Sequence, residues 1–454
     1  MSQTINGLAC VLGLAALAAL PLPAAAQSEK PLAAQWQLCA KSDTASGEGI
    51  AACTAIIESG AEGGRNLAIA HFNRANGWIA KGEPDRAIAD FTGAIGLDRT
   101  NAKAFFNRGN AFTALGRHDR AVADFGDAIK LDPNFVAALG SRAIALLRKG
   151  ETASAIVDLD NAIRLAPKDA RLLAARALAW RAKGELDLAV ADLDQAVEAE
   201  PNDAGMRNER GTTLHVTGQF ERAIADFTEA IRLNPNFAAA YAHRGLTQFA
   251  RGNLDAAILD FGEALRIAPA DTDTRINRAG ALQMKGDMER ARADYEEVLR
   301  LAPDTAAAFG GRGNIFLARG EHDRALADYD RALQIAPDFA VTYANRARAW
   351  RAKGDVTRAL ADLNMAIRYA PTDASSYNSR AWTFQLAGRD AEGLADANKA
   401  IELNPNDANA FDTRGTIHVK LGERDKAAAD FRRALELNPG MQTSSEALRK
   451  LEEK

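Results

Sequence analysis

Apolar and polar positions alternate along the chain with a helical period. Between residues 102 and 131, apolar or small side chains recur three or four positions apart, which places them on one face of each of two helices. These positions are Phe105, Gly109, Phe112, Ala121, Phe125 and Ala128. Gly116 separates the two runs and Pro133 follows the second, so a glycine ends the first helix and a proline stops the second. The segment therefore predicts a helix hairpin.

The hairpin pattern recurs every 34 residues, which defines eleven units over residues 68–441. The turn glycine of each unit is Gly82, Gly116, Gly150, Gly184, Gly218, Gly252, Gly286, Gly320, Gly354, Gly388 and Gly422. Prolines recur at the same step from Pro133 to Pro439, with Arg99 in the equivalent place of the first unit. A hairpin this small cannot bury its own apolar face, so we expect the units to stack on one another.

Each unit also has an arginine at one fixed position and an aspartate sixteen residues after it. The arginines run from Arg74 to Arg414 and the aspartates from Asp90 to Asp430. One interpretation is a ladder of charges that recruits a charged ligand. The other, which we favour, is that an aspartate of the same or the adjacent hairpin holds each guanidinium through two hydrogen bonds.

In order, the unit shows a small residue, an aromatic residue, the turn glycine, an alanine, an aromatic residue, an alanine and a proline. This order resembles the tetratricopeptide repeat family over residues 68–441. The resemblance implies an all-α fold, a right-handed superhelix (solenoid) of about eleven helix hairpins. It further implies that the first helix of each pair lines a concave groove, and that peptides or protein segments bind there.

The two flanks of the repeats are short. Residues 1–26 resemble a signal peptide, with an apolar stretch from Leu8 to Leu20 and a cleavage site after Ala26. Residues 27–67 are interpreted as a degenerate N-terminal capping hairpin, with its second helix displaced by a four-residue insertion. For residues 442–454 we expect a C-terminal capping helix, opened by a capping box at 443–446. The sequence thus predicts an exported, periplasmic protein.

Signal cleavage would remove Cys10 and leave two cysteines, Cys39 and Cys53. In an exported protein, such a pair favours a disulfide. A redox pair lacks support because the two-residue spacing that tunes one thiolate is missing. Two free thiols in the core remain an alternative.

Composition and charge exclude several classes of protein. Hydrophobic residues make up 47% and charged residues 26% of the 454, which is typical of a folded chain. The 56 basic and 60 acidic residues give a net charge of −4, too balanced for nucleic acid binding. The six histidines have no spacing suited to a metal site. We therefore predict no catalytic residues, no cofactor, no metal and no small-molecule substrate.

Side chains that point away from the second helix would line the groove. In the first two repeats these are Phe72, Asn73, Asn76, Phe106, Asn107 and Asn110. A carboxylate-clamp subclass of the family has asparagines placed like Asn76 and Asn107. The basic residues of that clamp would fall at Phe72, Ala137 and Ser141. We therefore do not expect this groove to capture a C-terminal carboxylate.

Farther along the same face, the sequence places Arg181 and later Arg348, Arg351 and Trp382. An exposed tryptophan flanked by arginines is typical of an interface hot spot. The alternative is that Trp382 packs on the neighbouring helix. In the tenth repeat Gly393 and Ala397 replace an alanine and a large side chain, from which we hypothesise a hinge beside this patch.

The sequence therefore predicts a non-enzymatic scaffold that binds a protein or peptide partner in the concave groove. The alternative is a structural component of a cell-envelope assembly or secretion complex. The pattern does not distinguish the two.

Overall fold

The computed structural model describes residues 30–41 and 47–453 of the chain. Within these ranges every regular element is an α-helix, as the helical period predicts. The chain divides into two compact units, one ending at Pro235 and the other beginning at Asn236. The predicted signal peptide and Cys10 lie outside the described residues, so export stays a prediction.

The first unit contains two leading helices, α1 and α2, and five helix pairs. Their bounds are α1 Lys30–Cys39, α2 Gly47–Ser59, α3 Gly64–Ala80, α4 Pro84–Leu97, α5 Ala102–Ala114, α6 His118–Leu131, α7 Val136–Arg148, α8 Thr152–Leu165, α9 Ala170–Lys183, α10 Leu186–Ala199, α11 Ala204–Val216 and α12 Phe220–Leu233. Repeat one is α3 with α4, and each later repeat is the next pair. The odd-numbered member is the first helix of its repeat.

The second unit contains six helix pairs and a final helix, α25. The bounds are α13 Ala238–Ala250, α14 Leu254–Ile267, α15 Thr272–Lys285, α16 Met288–Leu301, α17 Ala306–Ala318, α18 His322–Ile335, α19 Ala340–Ala352, α20 Val356–Tyr369, α21 Ala374–Leu386, α22 Asp390–Leu403, α23 Ala408–Lys420, α24 Arg424–Leu437 and α25 Gln442–Glu452. Repeats six to eleven are α13 with α14 through α23 with α24.

The turn glycine bends each hairpin. All eleven have φ between 70° and 90°, a left-handed conformation that other residues adopt at a cost. Next to Gly116, the Arg117 N–H donates to the Phe112 carbonyl at 2.9 Å and closes the end of α5. The chain can then reverse into α6.

The distance between the two helices of a hairpin depends on the sizes of two facing residues, one on each helix. A Cβ atom on Gly109 of α5 would lie 2.7 Å from Cε1 of Phe125 on α6, closer than two carbon atoms approach. The same crowding holds for Gly211, Gly245, Gly313 and Gly415 opposite Phe227, Phe261, Tyr329 and Phe431. In three other repeats the second helix has a leucine at this position and the first helix an alanine, as at Leu159 and Ala143. In these eight repeats the two positions compensate each other in volume. Repeats one and seven instead have an alanine facing an aromatic ring, Ala75 with Phe91 and Ala279 with Tyr295.

The arginine and aspartate of every repeat form a structural pair within their own hairpin. In all eleven, Nε and Nη2 of the arginine donate to the two carboxylate oxygens at 2.6–2.9 Å. The favoured interpretation is therefore confirmed, with the partner in the same hairpin. In several repeats Nη1 also reaches the preceding second helix, as from Arg176 to Asp160 at 2.7 Å. Each arginine there links its own hairpin to the one before.

The two leading helices are held by a disulfide between Cys39 and Cys53, whose Cα atoms lie 4.8 Å apart. The expected pairing is therefore present. Arg74 donates to Thr54 of α2 at 3.2 Å, as Arg108 donates to Thr92 of α4 at 3.0 Å. Through this contact α2 takes the place of a preceding second helix.

The predicted capping box at 443–446 is wrong. Helix α25 begins at Gln442, and its N-cap residue, Met441, makes no side-chain cap hydrogen bond. The hydroxyls of Thr443 and Ser444 instead donate to Oδ1 of Asp412 on α23. These two side chains are therefore oriented toward the buried carboxylate of Asp412 on the neighbouring helix.

Gly393 in the tenth repeat leaves no empty space. A Cβ atom there would lie 2.9 Å from the Ala381 carbonyl oxygen and 3.2 Å from Cδ1 of Ile417. Ala397 is buried in a cluster with Ala381 and Ile417. The small residues therefore let α22 approach its neighbours more closely. The hinge hypothesis stays a prediction.

Candidate functional site

The first helices of repeats seven to ten line a cavity of about 560 Å³ in the second unit. Its walls come from two rows of residues spaced 34 apart. One row is Asn314, Arg348 and Trp382, and the other is Gln283, Leu317 and Arg351. The remaining lining residues are Ala318, Ala352 and His322. Since Gly280 precedes Asn314 in the first row and has no side chain, that end of the row leaves open space.

A second cavity, of about 550 Å³, lies along the same helices toward their N-terminal ends. Its lining residues are Ala340, Val341, Ala344, Asn345, Arg348, Ala370, Asp373, Ser375 and Ser379. Small side chains such as Ala344 and Ser379 make this room. Arg348 belongs to both cavities, so we treat them as one surface and call it the first-helix groove.

Two arginines give the groove its charge. Arg348 is exposed, and Arg351 is half-buried between α19 and α21. Arg351 donates from Nη1 only to the Ser379 carbonyl at 3.4 Å and to Oγ1 of Thr383 at 3.3 Å. Neither arginine forms an ion pair with a carboxylate in the described part of the chain. Burial lowers the pKa of Arg351, and the positive charge of Arg348 lowers this pKa further.

Trp382 stands beside these arginines, on α21, and 39% of its surface is exposed. The structure thus brings together three of the predicted site residues, Arg348, Arg351 and Trp382, around one cavity. An indole that is partly free next to two unpaired guanidiniums can contact a ligand through both apolar area and charge.

Arg181 lies elsewhere, in the first unit. Its Nη1 donates to Oε2 of Glu209 at 2.8 Å, so the charge is already compensated within the protein. Arg181 precedes Arg351 by five repeats and occupies the same position in its own repeat.

The predicted asparagines lie on the first helices of repeats one and two. Asn107 donates from Nδ2 to Oδ1 of Asn76 at 2.9 Å. Asn76 is only 1% exposed, whereas Asn107 and Asn110 are partly accessible. The two amides therefore bind each other across successive repeats.

The expectation that Phe72 and Phe106 line the groove is wrong. Phe72 is buried between its own second helix and the next first helix, in a cluster with Phe91 and Ala104. The rings of Phe106 and Phe125 lie 5.7 Å apart in the equivalent place of repeat two. The following first helix covers this face, which the helical period alone does not reveal.

Sequence reasoning missed Gln283, Leu317, Asn314 and His322 as groove residues. The 34-residue step would have found the first three, because they occupy the same positions as Arg351 and Arg348 in earlier repeats. His322 begins α18, and its Nδ1 atom is buried with no hydrogen-bond partner among the described residues.

No group of three or more His, Cys, Asp and Glu side chains within residues 30–41 and 47–453 could hold a metal ion. None of the helices described above has the length and apolar character needed to cross a membrane.

Several solved structures are similar to this chain at low sequence identity. A tetratricopeptide repeat protein from Parabacteroides merdae is 24% identical, with a TM-score of 0.47, over 56% of this chain and 99% of its own. The Cut9–Hcn1 assembly of APC/C gives 13% identity and a TM-score of 0.49, over 93% and 94% of the two chains. Yeast Tom70 is 16% identical, with a TM-score of 0.46, over 85% of this chain and 95% of its own. No curated protein matches the chain.

Family models described as tetratricopeptide repeat match residues 102–135, 141–204, 209–272, 278–338 and 408–441. Together these segments make up more than half of the chain, and they fall on the helix pairs described above. With the turn glycines and the eleven helix hairpins, they place the chain in the tetratricopeptide repeat family.

Proposed function

We propose that the protein is a non-enzymatic scaffold that binds a peptide or protein segment along the first-helix groove. The observation that carries this proposal is the pair of cavities that meet at Arg348. A surface that extends across several helices suits an elongated chain better than a compact small molecule. Membership of the tetratricopeptide repeat family supports the same function.

The residues of the groove also support a protein partner. Tryptophan and arginine are the side chains most enriched among residues that dominate binding energy. Trp382 is large and can be desolvated by a partner, and Arg348 offers several donors in a fixed plane. Truncating Trp382 should then weaken binding more than truncating an exposed residue elsewhere.

A selection from a random peptide library tests this proposal. Peptides retained by the wild-type protein would be titrated against Trp382→Ala and against Leu259→Ala, a control on the second helix α14 where Leu259 is 72% exposed. We expect Trp382→Ala to weaken binding by about tenfold or more and Leu259→Ala to have no effect. Retained peptides that bind both variants like the wild type would contradict the proposal.

We also propose that the protein is exported and works in an oxidising compartment. The Cys39–Cys53 disulfide supports this, because such bonds persist outside the reducing cytosol. Alkylation without reductant, followed by peptide mapping of protein from the producing cell, should label neither cysteine. The exported form should begin at Gln27. Labelled Cys39 and Cys53, or a chain that keeps residues 1–26, would contradict export.

A further inference from the structure

The groove is lined by two arginines and one carboxylate, that of Asp373, which accepts hydrogen bonds from the N–H groups of Ser375 and Ser376. Within the described residues Arg348 and Arg351 have no carboxylate partner, although most arginines on the first helices are paired. Arg351 makes only two long hydrogen bonds to neutral oxygens. A half-buried guanidinium with partners this weak can gain more from an incoming anion than a fully hydrated one can.

Arg351 differs from the equivalent arginine of an earlier repeat in the partner that it faces. Arg181 and Arg351 occupy the same repeat position, and each points to a residue 28 positions later in the chain. For Arg181 that residue is Glu209, which accepts its hydrogen bond at 2.8 Å. For Arg351 it is Ser379, which offers only its carbonyl oxygen. The second unit therefore has the same arginine without the carboxylate that satisfies it in the first unit.

An apolar row runs beside the two arginines. It consists of the residues that directly follow Gln283, Leu317, Arg351 and Gln385, which are Met284, Ala318, Ala352 and Leu386. Met284 is 68% exposed and Leu386 is 50% exposed, while Ala318 and Ala352 line the first cavity. Lys420 takes this position in repeat eleven and ends the row. The groove thus combines a cationic centre with an apolar border four repeats long.

We propose that the first-helix groove binds an acidic, amphipathic protein segment, with a side-chain carboxylate between Arg348 and Arg351 and apolar side chains on Trp382 and the apolar row. This inference rests on the proposed function, since it names the chemistry of the same partner. Charge complementarity selects the acidic segment, and the exposed row selects its apolar side chains. Four first helices, spaced about 9 Å apart, span a segment of about eight extended residues.

The site differs from a clamp for a chain terminus. Arg348 occupies the repeat position that holds Asn76 and Asn110 in the first two repeats, and Arg351 lies one helical turn beyond it. The groove is open at both cavities, so the segment can continue past the arginines. Side-chain carboxylates are therefore the anions that we assign to it.

The test uses three sets of peptides about eight residues long. All carry the same apolar residues and an amidated C-terminus, so that only side chains supply charge. The variable positions hold glutamate in one set, glutamine in the second and lysine in the third. We expect the glutamate peptides to bind the full-length protein about tenfold more tightly than the glutamine peptides, and the lysine peptides to bind weakest. The preference should decrease as salt is added.

Substitution of Ser379 provides the sharpest variant. Ser379→Glu supplies the carboxylate that Glu209 provides in the first unit and should remove the preference for glutamate peptides. Ser379→Gln is its matched comparison, because it narrows the second cavity by the same volume without adding charge. Of the two variants, Ser379→Gln should show the larger preference for glutamate peptides. Arg348→Gln should reduce the preference, while Arg368→Gln, which removes an exposed arginine from α20, should not.

The outcomes separate this inference from the proposed function. Equal binding of all three sets, lost in Trp382→Ala, would overturn the acidic partner and leave the scaffold function in place. Tightest binding of the lysine set would also overturn it. If peptides of no set bind the groove, the acidic amphipathic partner is overturned, and the selection from the random library decides the scaffold function separately. A glutamate preference that is smaller in Ser379→Glu than in Ser379→Gln supports the inference.

Discussion

Arg181 on α9 donates a hydrogen bond to Glu209 on α11 across 2.8 Å, and this ion pair joins the first helices of two successive repeats. Both side chains are largely shielded from solvent. Arg351 occupies the same repeat position in repeat nine, in the second unit. It faces Ser379 and has no carboxylate partner among the described residues. One substitution in the repeat pattern therefore separates a structural arginine from one available to a ligand.

The pairs within the hairpins should respond to mutation as partly buried ion pairs do. Arg312 donates to both carboxylate oxygens of Asp328 at 2.8 Å. Arg312→Ala leaves that carboxylate unpaired near the helix interface, so we expect a loss of about 3 to 5 kcal/mol in the free energy of unfolding. The free energies of unfolding of the wild type and the variant are measured by urea unfolding.

A matched double variant is the control for this prediction. Replacing both partners, in Arg312→Met with Asp328→Leu, removes the unpaired charge and should recover most of the lost stability. A double variant as unstable as Arg312→Ala would show that the charge is not the cause.

The compensating volumes in the hairpins predict a rescue. Gly109→Ala would place a Cβ atom 2.7 Å from Cε1 of Phe125, so the ring must move. We expect a destabilisation of about 1 to 3 kcal/mol, despite alanine's better helix propensity. Gly109→Ala with Phe125→Leu reproduces the alanine and leucine of repeat three and should be more stable than the single glycine variant. Thermal unfolding checks both. No recovery in the double variant would contradict the account.

Gly393 provides a case in which sequence and structure lead to opposite expectations. An alanine is usual at this position, so the repeat pattern suggests that Gly393→Ala would stabilise the tenth repeat. In the structure its Cβ atom would lie 2.9 Å from the backbone oxygen of Ala381, which a side-chain rotation cannot relieve. We expect Gly393→Ala to destabilise the protein by about 1 kcal/mol or more. A higher melting temperature would contradict the packing described here.

The first repeat should lose stability in acid. Burial acts to raise the pKa of Asp90, but hydrogen bonds from His71 and Arg74 outweigh it and hold this pKa below the usual 3.8. A carboxyl group with a depressed pKa stabilises the fold above its unfolded pKa, near pH 4, and this contribution is lost as pH falls through the lower folded value. Asp90→Asn should therefore weaken the acid dependence of urea unfolding. An unchanged dependence would contradict this role.

Much of the fold could be predicted because it depends on repeat position alone. The turn glycines, the eleven arginine and aspartate pairs, and the stack of hairpins follow from residues spaced 34 apart. The two cysteines of the leading helices were also paired correctly. These features need only the helical period and the length of the repeat.

The rest depends on contacts that the period does not contain. Phe72 is expected to point away from its second helix, but it packs on Phe91 of that helix, and the next first helix covers it. Thr443 bonds to Asp412 on another helix instead of capping its own. The difference between Arg181 and Arg351 follows from a residue 28 positions later, which becomes informative only once the packing of successive first helices is known.

Photo-crosslinking from the groove tests the central claim most directly. A photoreactive residue would replace Ala352, at the rim of the first cavity, or Leu259, exposed on the second helix α14. The account predicts that partner adducts form in the producing cell from position 352 and not from position 259, and that Trp382→Ala suppresses them. Adducts from position 259 alone, or equal adducts from both positions, would contradict a partner-binding groove on the first helices.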